Sequence, residues 1–164
     1  MKLHTTIKLA LFATLMIITL AIIYLLERFN DVVDHHYKNY NSLIQSETFS
    51  HGWVPGYLPK DVSDIHIRYS IDSNRVIMRF TSTKNHFKTY NCQTTTKEDA
   101  SKPDEAILKR INWWLPKKIM NDIYHKKENT EEEHTLYKCS HQNKKSFILE
   151  YPATQFYYWN GIND

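Results

Sequence analysis

The residue types able to do chemistry in this chain are its nine histidines, its two cysteines and a scatter of carboxylates. His35, His36, His125, His134 and His141 are the histidines placed to contribute to a metal site. Read on a helix, the neighbours His35 and His36 point about 100° apart and do not serve one ion easily. The others fall in or beside expected loops, with no carboxylate or cysteine at ligand spacing, so neither a metal nor a cofactor is expected. The sequence holds no H-E-x-x-H, G-x-S-x-G, phosphate-loop or dinucleotide pattern. Asp61 and Asp64 lack a partner acid and read as turn and capping residues. No catalytic residue is expected.

Cys92 and Cys139 are an even pair without C-x-x-C or zinc-ligand spacing. In an oxidising compartment they read as one disulfide. The alternatives are two free thiols, or a cysteine nucleophile near His86 or His141. The aromatic residues are the second set of interest. Trp53, Tyr57, Trp113, Trp114, Tyr157 and Trp159 are candidate interaction anchors, against the plainer reading that most of them fill a small core. As neighbours on a helix, Trp113 and Trp114 cannot both face that core.

These groups sit in a chain of 164 residues, enough for one domain, with 41% apolar and 24% charged residues. That excludes a disordered or low-complexity chain, and three glycines leave no Gly-rich phosphate cradle. Residues Leu9 to Leu26 form an uncharged run interrupted only by Thr14 and Thr19. As a helix the run is roughly 27 Å long, close to the hydrocarbon thickness of a bilayer. It ends in Tyr24-Leu25-Leu26-Glu27-Arg28, with no small residue to cut after and no lipidated cysteine, so it reads as an uncleaved signal-anchor. Lys2 and Lys8 precede it, while Glu27, Asp31 and Asp34 follow, so residues 1–8 are expected in the cytoplasm and the remainder outside it. In a bacterium that is a periplasmic domain tethered to the inner membrane. With residues 1–28 set aside, 18 basic and 17 acidic residues remain. The pI near 8.7 is therefore no argument for nucleic acid.

Val32, Val33, His36, Tyr37, Tyr40, Leu43 and Ile44 recur at helical spacing and predict an amphipathic juxtamembrane helix within residues 27–48. The extracytoplasmic domain is placed at 49–164. It opens on a turn-rich segment, Gly52 to Pro59. Ile65, Ile67 and Tyr69, then Val76, Met78 and Phe80, alternate with polar or exposed positions and predict a hairpin turning at 70–74. A strand from Phe87 to Cys92 and an exposed loop from Thr94 to Lys102 follow. Ser101 caps a predicted helix carrying Ile107, Leu108, Ile111, Trp114 and Leu115. Pro116 ends it before a short second helix with Ile119, Met120 and Ile123. Lys126 to Glu133 reads as a charged loop tip. Strands at 135–140, 146–151 and 155–159 close the chain, the last expected at a sheet edge. The fold class is α+β: a transmembrane helix, then a small antiparallel sheet with helices on one face.

The pattern Gly52-Trp53-x-Pro55-x-x-Leu58-Pro59, followed by Ile65, Asp72-x-Asn74 and Phe80, resembles a family of small bacterial envelope proteins with no assigned activity. The resemblance continues through Cys92, Trp113-Trp114-Leu115-Pro116, Tyr137-x-Cys139 and Tyr158-Trp159. It implies an extracytoplasmic setting and no reaction. The expected function is a tethered, non-catalytic binding protein whose partner is a periplasmic or membrane protein, in one form an immunity-type inhibitor of a toxin. The alternatives are a structural accessory of an envelope complex, or a small His-dependent metal-binding protein or hydrolase.

Overall fold

The computed structural model describes residues 2–28, 31–83, 87, 92–96, 99–116, 119–121, 134–141, 144–151 and 154–160. The chain divides into two units, Met1–Asp31 and Val32–Asp164. The first is a helix, α1 (Lys2–Arg28). Its described side chains are Ile7, Lys8 and the fourteen from Leu11 to Tyr24, all exposed and mostly apolar. Among the described residues, no helix is long and apolar enough to cross a membrane.

The second unit is built on one antiparallel seven-stranded sheet in the order β1-β2-β3-β7-β6-β5-β4. Its elements are β1 (Val32–Asn39), α2 (Tyr40–Ile44), α3 (Glu47–Ser50), β2 (Ser63–Ser70), β3 (Arg75–Thr81), β4 (Cys92–Thr94), β5 (Thr135–His141), β6 (Lys144–Glu150) and β7 (Gln155–Asn160). The predicted hairpin is β2–β3, with Ser70 opposite Arg75 and Asn74 at φ +52° in its turn. The three C-terminal strands also form at the strand-like runs expected for them.

Four expectations are corrected. The helix predicted within 27–48 is instead strand β1 followed by the five-residue α2. Two elements had overlapped into one helical-looking stripe. Val32, Val33 and Tyr37 lie on a strand paired to β2, whereas Tyr40, Leu43 and Ile44 do lie on a helix. Asn39 makes the switch: its side chain accepts from the Ser42 amide at 3.0 Å while the Ser42 hydroxyl accepts from the Asn39 amide at 3.3 Å. The folded unit therefore begins at Val32 and not at residue 49.

The second correction concerns the helix predicted from Ser101 to Leu115, which is absent; residues 105–110 form turns. Arg110 stands at φ +62°, outside helical geometry. The Ile107 and Lys109 carbonyls accept from the Arg68 guanidinium at 3.1 and 2.6 Å. A cation from β2 thus takes carbonyls that a helix would have paired with its own amides. The short helical turn expected after Pro116 is present at 119–121, where the Met120 amide reaches the Pro116 carbonyl at 3.0 Å.

The third correction places β7 at the centre of the sheet, between β3 and β6, and not at an edge. Its run Phe156-Tyr157-Tyr158-Trp159 is buried on both faces, which accounts for the lack of polar alternation. The fourth is that non-strand segments cover both faces of the sheet. On one face Ile65, Ile67, Met78, Phe80, Ile148 and Phe156 pack with Leu43, Tyr57, Leu58 and Phe87. On the other, Ile77, Phe147, Leu149 and Trp159 pack with Ile107, Trp114, Leu115 and Ile119.

The segment 52–59 is ordered through packing. Val54, Tyr57 and Leu58 are buried, and the Leu58 amide donates to the Pro55 carbonyl at 3.1 Å. Gly52 ends α3 at φ +78°, where any side chain would be strained, and its amide donates to the Phe49 carbonyl at 3.0 Å. The Tyr57 phenol lies 2.5 Å from the Ser146 hydroxyl inside the core. Burial pushes this phenol up to about 12, from an ordinary value near 10. It pushes Tyr158, beside it, up as well. A raised phenol stabilises the fold fully below pH ~10 and loses that contribution as pH rises through the folded value, because the unfolded chain ionises first. Stability is therefore expected to fall between about pH 10 and 12, less steeply in Tyr57→Phe, as read by urea unfolding midpoints across that range.

Cys92 and Cys139 are disulfide-bonded across β4 and β5, with Cα atoms 4.1 Å apart. The Thr95 amide donates to the Leu136 carbonyl at 2.9 Å, so the ladder alternation makes Cys92 and Cys139 a non-hydrogen-bonded pair, the closer of the two kinds. Neither cysteine is a free nucleophile. Of the strand expected from Phe87 to Cys92, Cys92 lies in β4, which runs on to Thr94. Its proposed residues 88–91 lie outside those described, as do the loop tip 126–133, His86 and His125.

Candidate functional site

On the sheet face that carries Trp113, strands β1, β2 and β3 bring polar side chains together. His36 lies opposite His66 in the β1–β2 register, and His66 lies opposite Arg79 in the β2–β3 register. Asp64 is two residues before His66 on the same strand. The β2–β3 register shifts between Ser63 and His66, a bulge, and Asp64 within it has φ +47°. Aspartate tolerates this left-handed backbone better than most residues, and bulges re-aim side chains.

The result is a convergent cluster. His36 Nε2 is 2.9 Å and His66 Nε2 3.2 Å from the same oxygen, Asp64 Oδ1. The two imidazole rings stack with centroids 4.1 Å apart. Arg79 donates to the other oxygen, Asp64 Oδ2, at 2.7 Å and to the Trp113 carbonyl at 3.3 Å. Trp113 lies with its ring centroid 5.4 Å from that of His66. The side chains of His36 and Asp64 are 54% and 47% exposed, whereas that of His66 is 21% exposed. Next along the same strands, Arg68 pairs with Asp34.

Electrostatics within the cluster follow from these contacts. Burial alone would push the Asp64 carboxyl up, but the His36 hydrogen bond and the charges of Arg79 and His66 outweigh it and hold it below the usual carboxylate range. Burial, helped by the Arg79 and His36 charges, holds the His66 imidazole below the ordinary histidine value despite Asp64. His66 is thus biased toward the neutral, lone-pair-bearing form.

The sequence-based candidates are dispersed by comparison. Tyr57, Trp114, Tyr157 and Trp159 are buried in the two cores. Trp53 and Trp113 are half-buried and pack with the clusters on opposite faces of the sheet. Trp53 stacks on Tyr69 of β2 at 4.4 Å, and Trp113 packs beside His66. Of the histidines considered for metal, His36 enters the cluster with Asp64 and His66. His35 turns to the opposite face, against Tyr37 and Tyr69. His134 is remote in sequence on β5's approach, and the His141 side chain lies outside the described set. His66 and Asp64 were missed as a pair because the signal is an i, i+2 spacing on a strand, paired across to His36. That spacing becomes informative only once β1 is known to be a strand.

Comparison with known proteins adds one match. The family model of the YbbD head domain matches residues 31–81, which run from just before β1 to the end of β3 and include the whole His36–Asp64–His66–Arg79 cluster. The match supports a small uncharacterised family and stops short of β4–β7. No curated protein and no solved structure matches the chain.

Proposed function

We infer that the protein is a membrane-tethered binding domain displayed outside the cytoplasm, acting through a protein partner and not by catalysis. The observation that carries this reading is the division of the chain. An N-terminal helix exposing Leu11, Phe12, Leu15, Ile17 and Leu20 precedes a separate, disulfide-closed sheet unit. A helix apolar all round favours a lipid surrounding over water, and a disulfide favours an oxidising compartment. The flanking charges orient the sheet unit outward.

The partner-facing surface is the β1 side of the sheet, where Trp53 and Trp113 pack on the neighbouring strand β2 from opposite faces. Half-buried tryptophans beside an open strand edge combine aromatic anchors with unpaired backbone groups, a combination suited to recognising an extended segment of a protein. A partner that is a toxin arriving in the periplasm would make the protein immunity-type.

Crosslinking in intact membranes, followed by capture of the full chain, tests the reading. A specific extracytoplasmic protein is expected to be captured by the wild type and lost from Trp53→Ala or Trp113→Ala variants that remain folded. Fusion of a reporter active only outside the cytoplasm after Asp164 is expected to give an active reporter. An inactive fusion, or capture unchanged in both variants, overturns the reading.

A further inference from the structure

The geometry points to a metal site at His36, Asp64 and His66 that takes a zinc-class divalent ion through two imidazole nitrogens and one carboxylate oxygen. The three donor atoms, His36 Nε2, His66 Nε2 and Asp64 Oδ1, lie within 4.8 Å of one another. An ion about 2.0–2.2 Å from each donor spaces them by roughly 3–3.5 Å. The Nε2–Oδ1 separations of 2.9 and 3.2 Å are within a few tenths of that, and the two imidazole nitrogens, within 4.8 Å of each other, close on the ion by side-chain rotation.

The sheet positions all three donors. His36 and His66 are direct cross-strand partners, and the bulge at Asp64 brings its carboxylate between them. Arg79 holds Oδ2 and leaves Oδ1 facing the imidazoles, the orienting role that groups behind a ligand perform in metal sites. Its positive charge opposes that of an ion, which sets the affinity below that of a closed structural zinc site. Two imidazoles select zinc, nickel, cobalt or copper over calcium and magnesium, which prefer all-oxygen surroundings. Three ligands from the protein, two of them solvent-exposed, leave at least one coordination position open to water or to a donor from a partner.

The site shares only His36 with the histidines that the sequence first suggested, and it does not depend on the membrane tether or on any partner. The test is titration of the untagged full chain with zinc and with cobalt(II), using calorimetry for zinc and the visible d–d absorption for cobalt. One equivalent is expected to bind at micromolar metal. His36→Gln and Asp64→Asn are each expected to weaken zinc by roughly tenfold or more. His35→Gln, whose side chain faces the other side of the sheet, is expected to leave binding unchanged. Saturating zinc should raise the thermal midpoint of the wild type and not that of His36→Gln. No binding at micromolar metal, or equal weakening by His35→Gln and His36→Gln, overturns the proposal. Because His36 is exposed, its variant is expected to fold, and unfolding curves without metal check that it does.

Discussion

Trp159→Ala is expected to lower the free energy of unfolding by about 3–5 kcal/mol, the largest loss from any single truncation considered. Trp159 is fully buried on the central strand β7 and stacks on Phe147 at 5.6 Å. Its indole N–H also donates to the Ser101 carbonyl at 2.7 Å, which pins the irregular 100–115 layer to the sheet. The substitution therefore opens a cavity and releases a covering segment together. Urea unfolding followed by far-UV circular dichroism would measure it. Trp53→Ala, at a half-buried position stacked on Tyr69, is expected to cost markedly less. If the two losses are equal, the assignment of Trp159 to the core and Trp53 to the surface is wrong.

Loss of the Cys92–Cys139 bond is expected to be the second large effect. The bond closes a loop with a sequence separation of 47. Constraining a loop of that length in the unfolded chain is worth about 4 kcal/mol in the chain-entropy model, and measured gains of 2–4 kcal/mol are usual. Reduction, or Cys92→Ser with Cys139→Ser, should shift the urea midpoint downward by the corresponding amount. Among the described residues, β4 is three residues long and pairs with a single neighbour, β5. Amide exchange should accordingly speed up most at residues 92–94. An unchanged midpoint after complete reduction, verified by thiol counting, would refute the expectation.

How much of this was legible beforehand depended on whether local pattern and tertiary demand agreed. They agreed in β2 and β3, where apolar and polar positions alternate, and in β5 and β6. They also agreed at the cysteine pair, which the structure joins. They disagreed where a pattern had two readings. Val32, Val33, His36 and Tyr37 fit a helix as well as a strand, and β2 supplied the pairing that decided it. Ile107 to Leu115 fit a helix by spacing, but Arg68 takes two of its carbonyls from outside the segment, an interaction over about forty residues that no local pattern records. Among the candidate contact residues, Trp53 and Trp113 retain exposure, while Tyr57, Trp114, Tyr157 and Trp159 do not. Composition identifies an aromatic residue but not the side of the sheet it will cover. The His36–Asp64–His66 cluster was illegible for the same reason: it exists only through the β1–β2 register.

The central place of β7 has a consequence for how the chain reaches its native state. β1–β2–β3 and β4–β5–β6 are each built largely from neighbours in sequence, but they meet only through β7, which pairs Ile77 with Trp159 and Phe147 with Trp159. Until residues 155–160 have emerged, β3 and β6 each present an open edge, and no described strand pairing joins the two half-sheets. Closing pairings between positions some 80 residues apart is slow relative to forming a hairpin. The assembling chain thus carries two sticky strands until its final strand slots between them, a strong reason for it to need protection from self-association during synthesis.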